Sequence, residues 1–396
     1  MKILYITPYY KPSWFYGGPP KCISEQAEYL VAHLGVKLDV LTLNVNGGSF
    51  PFQPADQVHV KIIDGVTVHY LPLSSSSLGK KYFYSEEFNT YVERFKEYDL
   101  VHVHTLFNYY SKEGMSFAVS HNIPLAVTPH GMLDQYSLTR TAWLKKLHRL
   151  FFDNRLLPKA SFLQFTTTSE LENSDVPAGI HPVIIPIGFN FKEDGASKIE
   201  EVKEPQETEA LKMIFLGRIN RKKGLALLLK ALAILKPRLK SKVLVDIYGE
   251  DDDNHLVELL AIKEDFKLDN VTFKGKLDPA HREKKMAQYD CLVLTSYQEN
   301  FGLVVVEALE VGKPVMISDK VNLADFVLEH DCGWVTELKE DAISSAIKAI
   351  LETPRELRYV KGSNGALAVK KHFSLQDVSR QLHYEYFTAI GQADAK

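Results

Sequence analysis

The chain has 396 residues, 45% of them apolar and 24% charged, with a formal net charge of −3. At roughly 100–200 residues per domain, this length predicts two domains with full cores, and the charge balance excludes general nucleic-acid binding, which draws on a large positive excess. Cys22, Cys291 and Cys332 lie far apart with neither metal-ligand nor redox spacing, so reduced thiols and a cytoplasmic setting are expected. The N-terminal apolar run stops at Thr7-Pro8 and does not read as a signal peptide. Apolar stretches fall short of the ~20 residues needed to cross a bilayer, so any membrane encounter is expected at the surface, at its inner face.

In chain order, residues 2–7 form a short apolar run closed by Pro8, the pattern of a buried parallel strand. A loop carrying Gly17-Gly18-Pro19-Pro20 follows, then a helical pattern over 21–34 with Ile23, Ala27, Leu30, Val31 and Leu34 on one face. Residues 38–43, 66–71, 100–104 and 125–128 read as further strands, with helices over 86–97 and 112–121. The stretch 191–210, dense in Lys and Glu, reads as a linker. The alternation then restarts, with strands at 213–216, 243–248, 271–274, 291–295 and 314–318. Helices are expected over 222–235, 253–266, 280–289, 303–311 and 340–352, and two last patterns over 355–372 and 375–390 fit either half. Strands alternating with helices predict parallel α/β sheets with helices on both faces. We expect a domain over 1–195, completed by a C-terminal helix over 375–396, and a second over 210–372.

In open α/β sheets, ligands gather at the carboxyl ends of the strands. The strand 213–216 runs into Gly217-Arg218-Ile219-Asn220-Arg221-Lys222-Lys223-Gly224. Cations and helix N-terminal amides on such a turn suit a diphosphate, although a solvated basic turn fits the run equally well. The strand 291–295 runs into Ser296-Tyr297-Gln298-Glu299-Asn300-Phe301-Gly302-Leu303, and a helix continues through Glu307. The polar run and Gly302 place Glu299 in the loop and Glu307 on the second helical turn. One carboxylate suits sugar hydroxyls and the other a ribose diol, while the amides near Leu303 and Val304 suit phosphate. Two surface glutamates beside a cap are the plainer alternative, opposed by the apolar run 303–306.

Glu-x7-Glu after a strand, together with Gly-Arg-x4-Lys-Gly after an earlier one, resembles the family 4 retaining glycosyltransferases, which have the GT-B fold: two Rossmann-like domains with a cleft between them. The resemblance covers nearly the whole chain and extends to Pro8, Gly17-Gly18, the run 99–104 (DLVHVH), Thr128-Pro129-His130-Gly131, Thr168-Ser169-Glu170 and Ile185-Pro186-Ile187-Gly188. It implies that Arg218 and Lys223 bind the donor diphosphate, Glu307 the ribose and Glu299 the donor-sugar hydroxyls. The amides around Phe301, Gly302, Leu303 and Val304 would meet sugar and phosphate. Lys276 and Leu277 would frame the base, Gly17 and Gly18 would let a loop approach phosphate, and His130 would contact the transferred sugar; without the resemblance, His130 reads as a satisfied turn histidine. Catalytic roles thus fall on His130, Glu299, Arg218 and Lys223. The expected reaction is retaining transfer of a hexosyl unit from a UDP-sugar, first UDP-glucose, then UDP-glucuronic acid or UDP-galactose. The acceptor would be a glycan or lipid-linked, as in exopolysaccharide biosynthesis. Front-face displacement, with the domains closing to exclude water, is the expected course.

Two motifs depart from the family pattern. The Asn-Gly-hydrophobic-Asp turn reads Ile187-Gly188-Phe189-Asn190, and the Gly-x-Gly turn reads Gly249-Glu250-Asp251-Asp252-Asp253. The latter contains Asp251-x-Asp253, a pattern that holds a divalent metal in another glycosyltransferase fold. Because Arg218 and Lys223 already supply cations, we expect no metal and no cofactor, with metal-dependent transfer through Asp251 and Asp253 as the alternative. A non-catalytic nucleotide-sugar-binding protein of the same fold is a further alternative. A Rossmann dehydrogenase is disfavoured, because its Gly-x-Gly-x-x-Gly fingerprint is missing from the first turn. Finally, residues 139–159 interleave Arg140, Lys145, Lys146, Arg149, Arg155 and Lys159 with Trp143, Leu144, Leu147, Leu150, Phe151 and Phe152. This reads as peripheral membrane contact or as a core helix with a solvated basic face.

Overall fold

The computed structural model describes residues 1–139, 142–191 and 210–394. They fall into two compact units, Met1–Asn190 with Leu375–Lys396, and Phe191–Ser374. Arg140 and most of the expected linker lie outside the described residues.

Unit 1 is built on one sheet of β1 (Lys2–Ile6), β2 (Lys37–Leu43), β3 (His59–Ile63), β4 (Val66–Leu71), β5 (Leu100–His104), β6 (Leu125–Thr128), β7 (Phe162–Phe165) and β8 (Pro182–Ile184), in the order β3-β4-β2-β1-β5-β6-β7-β8. Every pairing is parallel except β3 with β4. Alternate residues of β1 feed opposite cores: Leu4 and Ile6 pack on one face, Ile3 and Tyr5 on the other. Burial on both faces explains the unbroken apolar strands. β3, β7 and β8 were not anticipated. β3 forms a hairpin with β4 through Asp64-Gly65, both at positive φ (49° and 84°), the geometry a two-residue hairpin turn requires.

The structure corrects several expected helices. Gly18, Pro19 and Pro20 are not loop: they open the helix Gly18–Leu34, where proline's missing N–H costs nothing. The segment 86–97 breaks into Phe88–Val92 and a 3-10 turn, Glu93–Phe95. The helix expected from 112 begins earlier, as Tyr109–Ser120, because the Asn108 side chain accepts from the Ser111 amide and caps it. The last helix, Leu375–Asp394, belongs to unit 1. Gly188 makes its docking possible: a Cβ there would lie 2.8 Å from the Leu375 Cα, and the Leu375 amide donates to the Phe189 carbonyl at 2.9 Å. The departure from the family turn at Ile187–Asn190 therefore keeps a glycine for backbone packing.

Unit 2 carries β9 (Leu211–Leu216), β10 (Val243–Tyr248), β11 (Val271–Gly275), β12 (Cys291–Leu294), β13 (Val315–Ser318) and β14 (Gly333–Thr336), all parallel, in the order β11-β10-β9-β12-β13-β14. The direction of winding reverses between β9 and β12, where doubly wound sheets open a crevice at the strands' carboxyl ends. The helix expected over 222–235 is two elements, a 3-10 turn Arg221–Lys223 and the helix Leu225–Ile234, separated by Gly224 at φ 66°. The segment 280–289 likewise divides into Pro279–His281 and Arg282–Met286.

Candidate functional site

Lys223 follows β9 and Glu299 follows β12, so both sit at the switch point of the unit 2 sheet. Gly224 brings their loops together. A Cβ at Gly224 would lie 1.9 Å from the Thr295 carbonyl oxygen, and the Thr295 hydroxyl donates to the Gly224 carbonyl at 3.1 Å. The Lys223 ammonium then reaches Glu299 Oε1 at 2.5 Å, with the two side chains only 17% and 14% exposed. The Ser296 hydroxyl donates to the same oxygen at 2.8 Å. Burial by itself would raise the Glu299 carboxyl; the charges of Lys223 and Lys222 and the two hydrogen bonds outweigh it and hold the group below its ordinary value. Glu299 lies in the loop, its amide donating to the Lys320 carbonyl and its carbonyl accepting from the Asn322 amide.

Gly302, at φ 81°, caps the helix Leu303–Glu310. The amides of Leu303 and Val304 open this helix, where backbone donors lack intrahelical partners. Phe301 is buried and its ring stands edge-on to Phe373, centroids 5.1 Å apart, so the side chain anchors the loop. Glu307 occupies the second turn, 3.7 Å from Arg282, and its Oε2 is buried with no hydrogen-bond donor. Arg218 extends from the end of β9, half exposed, and pairs with Asp252 at 3.0 Å. Lys276 follows β11 and pairs with Glu250 at 3.0 Å; Leu277 beside it is half-buried.

The acidic run after β10 is committed locally. Asp251 accepts from the amides of His255 (2.9 Å) and Leu256 (3.3 Å), capping the helix Leu256–Asp265. Asp253 accepts from the Arg221 amide at 3.2 Å. The glycine retained there, Gly249, sits where a Cβ would meet the Gly217 carbonyl oxygen at 1.9 Å.

In unit 1, His130 lies at φ 51° just past β6, and its Nε2 is 3.2 Å from Nδ1 of His104 at the end of β5. Burial drives the His130 ring down to about 4, and His104 well below its ordinary value; both are neutral at physiological pH. Glu170, fully buried, holds this turn from below: it accepts from the Gly131 amide (2.7 Å) and from the amide and hydroxyl of Thr166 (both 2.6 Å). Burial pushes its carboxyl up to about 7 against the lowering effect of those bonds. Sequence reasoning placed Glu170 in a motif without giving it work; its position three residues past Thr167, which caps the helix Thr168–Glu172, was the available signal. Gly17 adopts φ 84° and Gly18 is the first residue of the helix that follows.

The segment 142–159 is not a core helix. His148 anchors it, bonded to Tyr82 Oη (2.8 Å) and Asp153 (2.9 Å), yet Trp143 (68%), Leu144, Leu147, Leu150 and Phe151 are exposed, alongside exposed Lys146, Arg155 and Lys159. Among the described residues no helix is long and apolar enough to cross a membrane.

Two family signatures match. One described as a glycosyl transferase 4-like domain covers residues 17–186, and one described as glycosyl transferases group 1 covers residues 197–366. The chain is 24% identical over 255 residues to an uncharacterised 41.2 kDa protein in the cps region of Klebsiella pneumoniae, covering 62% of this chain and 67% of the relative. Sucrose-phosphate synthase from Thermosynechococcus elongatus superposes with a TM-score of 0.74 at 19% identity, over 99% of this chain and all of that one. The Anabaena protein HepE in complex with UDP-glucose superposes with a TM-score of 0.68 at 19% identity, over 98% and 100%. At these identities the structural likeness is one of fold, the two-domain GT-B fold. With both halves matched by their own signatures, this chain belongs to the family 4 glycosyltransferases and is an enzyme of that class.

Proposed function

We propose that the enzyme transfers a hexosyl unit, with retention of anomeric configuration, from a UDP-sugar to a glycan or lipid-linked acceptor in polysaccharide biosynthesis, UDP-glucose being the first donor to try. The observation that carries the donor reading is Glu307 Oε2, buried without a hydrogen-bond donor at the switch-point end of the unit 2 sheet. That oxygen faces the Arg282 guanidinium at 3.7 Å, beyond hydrogen-bond reach, so its lone pairs stay free to accept from a ribose diol. The HepE complex with UDP-glucose and the relative from a cps region support the donor and pathway class.

In this reading Lys223 keeps one of its three donors on Glu299 and turns the others to the diphosphate. Arg218 adds a second cation, and the Phe301–Val304 backbone meets phosphate and sugar. Both protein donors to Glu299 reach Oε1, so Oε2 takes a sugar hydroxyl. Lys276 and Leu277 frame the base. Negative charge on the leaving diphosphate is offset by these cations and the helix N-terminus. In unit 1, Gly17 and Gly18 are assigned to phosphate and His130 to the transferred sugar. Transfer is proposed to be metal-independent, supported by the commitment of Asp251 to a helix cap. The exposed Trp143, Phe151 and flanking cations support peripheral attachment to an anionic membrane surface at the cytoplasmic face.

The test is a thermal-shift screen with UDP, GDP, ADP and NAD, with and without a chelator. Selective stabilisation by UDP, unchanged by chelation, is expected. Preference for another nucleotide would contradict the donor assignment, and dependence on a metal would return Asp251 and Asp253 to the centre.

A further inference from the structure

Behind His130 lies a network whose proton positions can be read residue by residue. Gln164 Nε2 donates to the Ile185 carbonyl at 3.0 Å, which fixes Oε1 as an acceptor, and the Thr128 hydroxyl donates to it at 3.0 Å. With its proton spent, Thr128 accepts from His102 Nε2 at 2.7 Å. His102 Nδ1 is then bare and accepts from the Tyr386 hydroxyl at 2.6 Å, which in turn accepts from Tyr5 at 2.8 Å. His102 is thereby locked, and His104 stacks on it with ring centroids 4.1 Å apart.

His104 and His130 share one hydrogen bond between two neutral rings, and two assignments exist. If His130 Nε2–H donates, His104 must carry its proton on Nε2, an atom buried without a partner. If His104 Nδ1–H donates, the buried Nε2 is a bare nitrogen. An orphaned buried N–H is the costlier of the two, so the proton sits on His104 Nδ1. His130 Nε2 is then an acceptor and its own proton lies on Nδ1. His104 and His130 also line a small recess of mixed character, with Gln26, Thr128 and Gln164 on its polar side and Ile23 and Ile187 on its apolar side.

We propose that His104 is a positioning residue that fixes the tautomer of His130, so that His130 presents a hydrogen-bond donor, from Nδ1, to the transferred sugar. Its functional half rests on the reading that His130 meets that sugar; the tautomer itself does not. A donor at this point polarises a sugar oxygen without taking up a charge, which suits a ring that burial keeps neutral.

The experiment uses the full chain labelled with 13C and 15N, its histidine rings assigned through their own backbone resonances. Long-range proton–nitrogen correlations at neutral pH should show His130 protonated on Nδ1 and bare on Nε2. The opposite pattern, or an averaged one, overturns the proposal, and because this spectrum is recorded on the wild type it decides even if a variant fails to fold. His104→Phe should scramble the His130 tautomer and lower kcat about tenfold with KM little changed. His104→Asn, which places an amide N–H where the ring carried Nδ1–H, should restore the tautomer and most of the turnover. Equal losses in both variants would mean that ring shape matters, not the proton, and would overturn the positioning role. A scrambled tautomer with undiminished turnover would leave the assignment standing and sink the sugar contact of His130.

Discussion

The carbonyl oxygen of Thr295 occupies the space a side chain on Gly224 would need, 1.9 Å from its ideal Cβ position. This contact joins the loops after β9 and β12 and sets Lys223 against Glu299. Gly224→Ala combines that clash with φ 66°, a conformation costing a non-glycine residue on the order of 1–3 kcal/mol before the clash is counted. We expect the unfolding midpoint of the variant to fall by about 5–10 °C, measured by calorimetry. An unchanged midpoint would show that the two loops do not approach as described.

Glu170 gives a pH-dependent signature. Burial raises its folded-state value to about 7, against ~4.3 for a solvated carboxyl. A raised acid favours the fold in its protonated form, so this contribution is fully present below about 4.3 and is lost as pH climbs through about 7. Glu170→Gln cannot titrate, and its amide would oppose one set of the donors from Gly131 and Thr166. Its stability should be lower at acid pH and flatter than wild type between about pH 4.5 and 7.5, in denaturant titrations across that range. Parallel pH profiles for the two proteins would contradict the environment assigned to Glu170.

For Glu307, the expectation concerns binding. Glu307→Gln should weaken UDP binding by about ten- to a hundredfold in isothermal titration calorimetry, since one charged acceptor of the ribose is lost. Undiminished affinity would remove Glu307 from the nucleotide site.

The exposed face at 142–159 makes a separable prediction. Trp143→Ala with Phe151→Ala should reduce sedimentation with vesicles containing phosphatidylserine. Reversing Lys146 and Lys159 to Glu should reduce it further, by roughly fivefold per charge removed. Turnover on a soluble acceptor should be unaffected. Equal binding of wild type and variants to these vesicles would refute membrane contact through this face.

Much of the architecture was legible because both sheets are mainly parallel and buried, so several central strands are unbroken apolar runs, as in 3–6 and 291–294. What escaped was what periodicity does not encode. β3 is an edge strand with three of its five residues exposed, so it has no buried face to declare it, although Asp64-Gly65 marked the hairpin. The break at Gly224 was invisible because Leu225–Ile234 continues the helical pattern on the far side. In the site, Glu299 in the loop and Glu307 on the second turn followed from the polar run and Gly302. The reason Lys223 meets Glu299 did not, because it depends on a backbone approach between segments 71 residues apart, Gly224 to Thr295. Glu170 and His104 act through buried hydrogen bonds to Gly131 and His130, 39 and 26 residues away, and local sequence carries no trace of those partners.

The central claim is that Lys223 and Glu299 work as one unit to hold the donor's diphosphate and sugar. It is tested most directly by kcat/KM for donor turnover in wild type, Lys223→Ala, Glu299→Gln and the double variant, each confirmed folded by circular dichroism. We expect each single change to cost about a hundredfold and the double variant to be little worse than either, since paired groups are strongly non-additive. Near-normal turnover in a folded single variant, or losses that multiply in the double variant, would contradict the account.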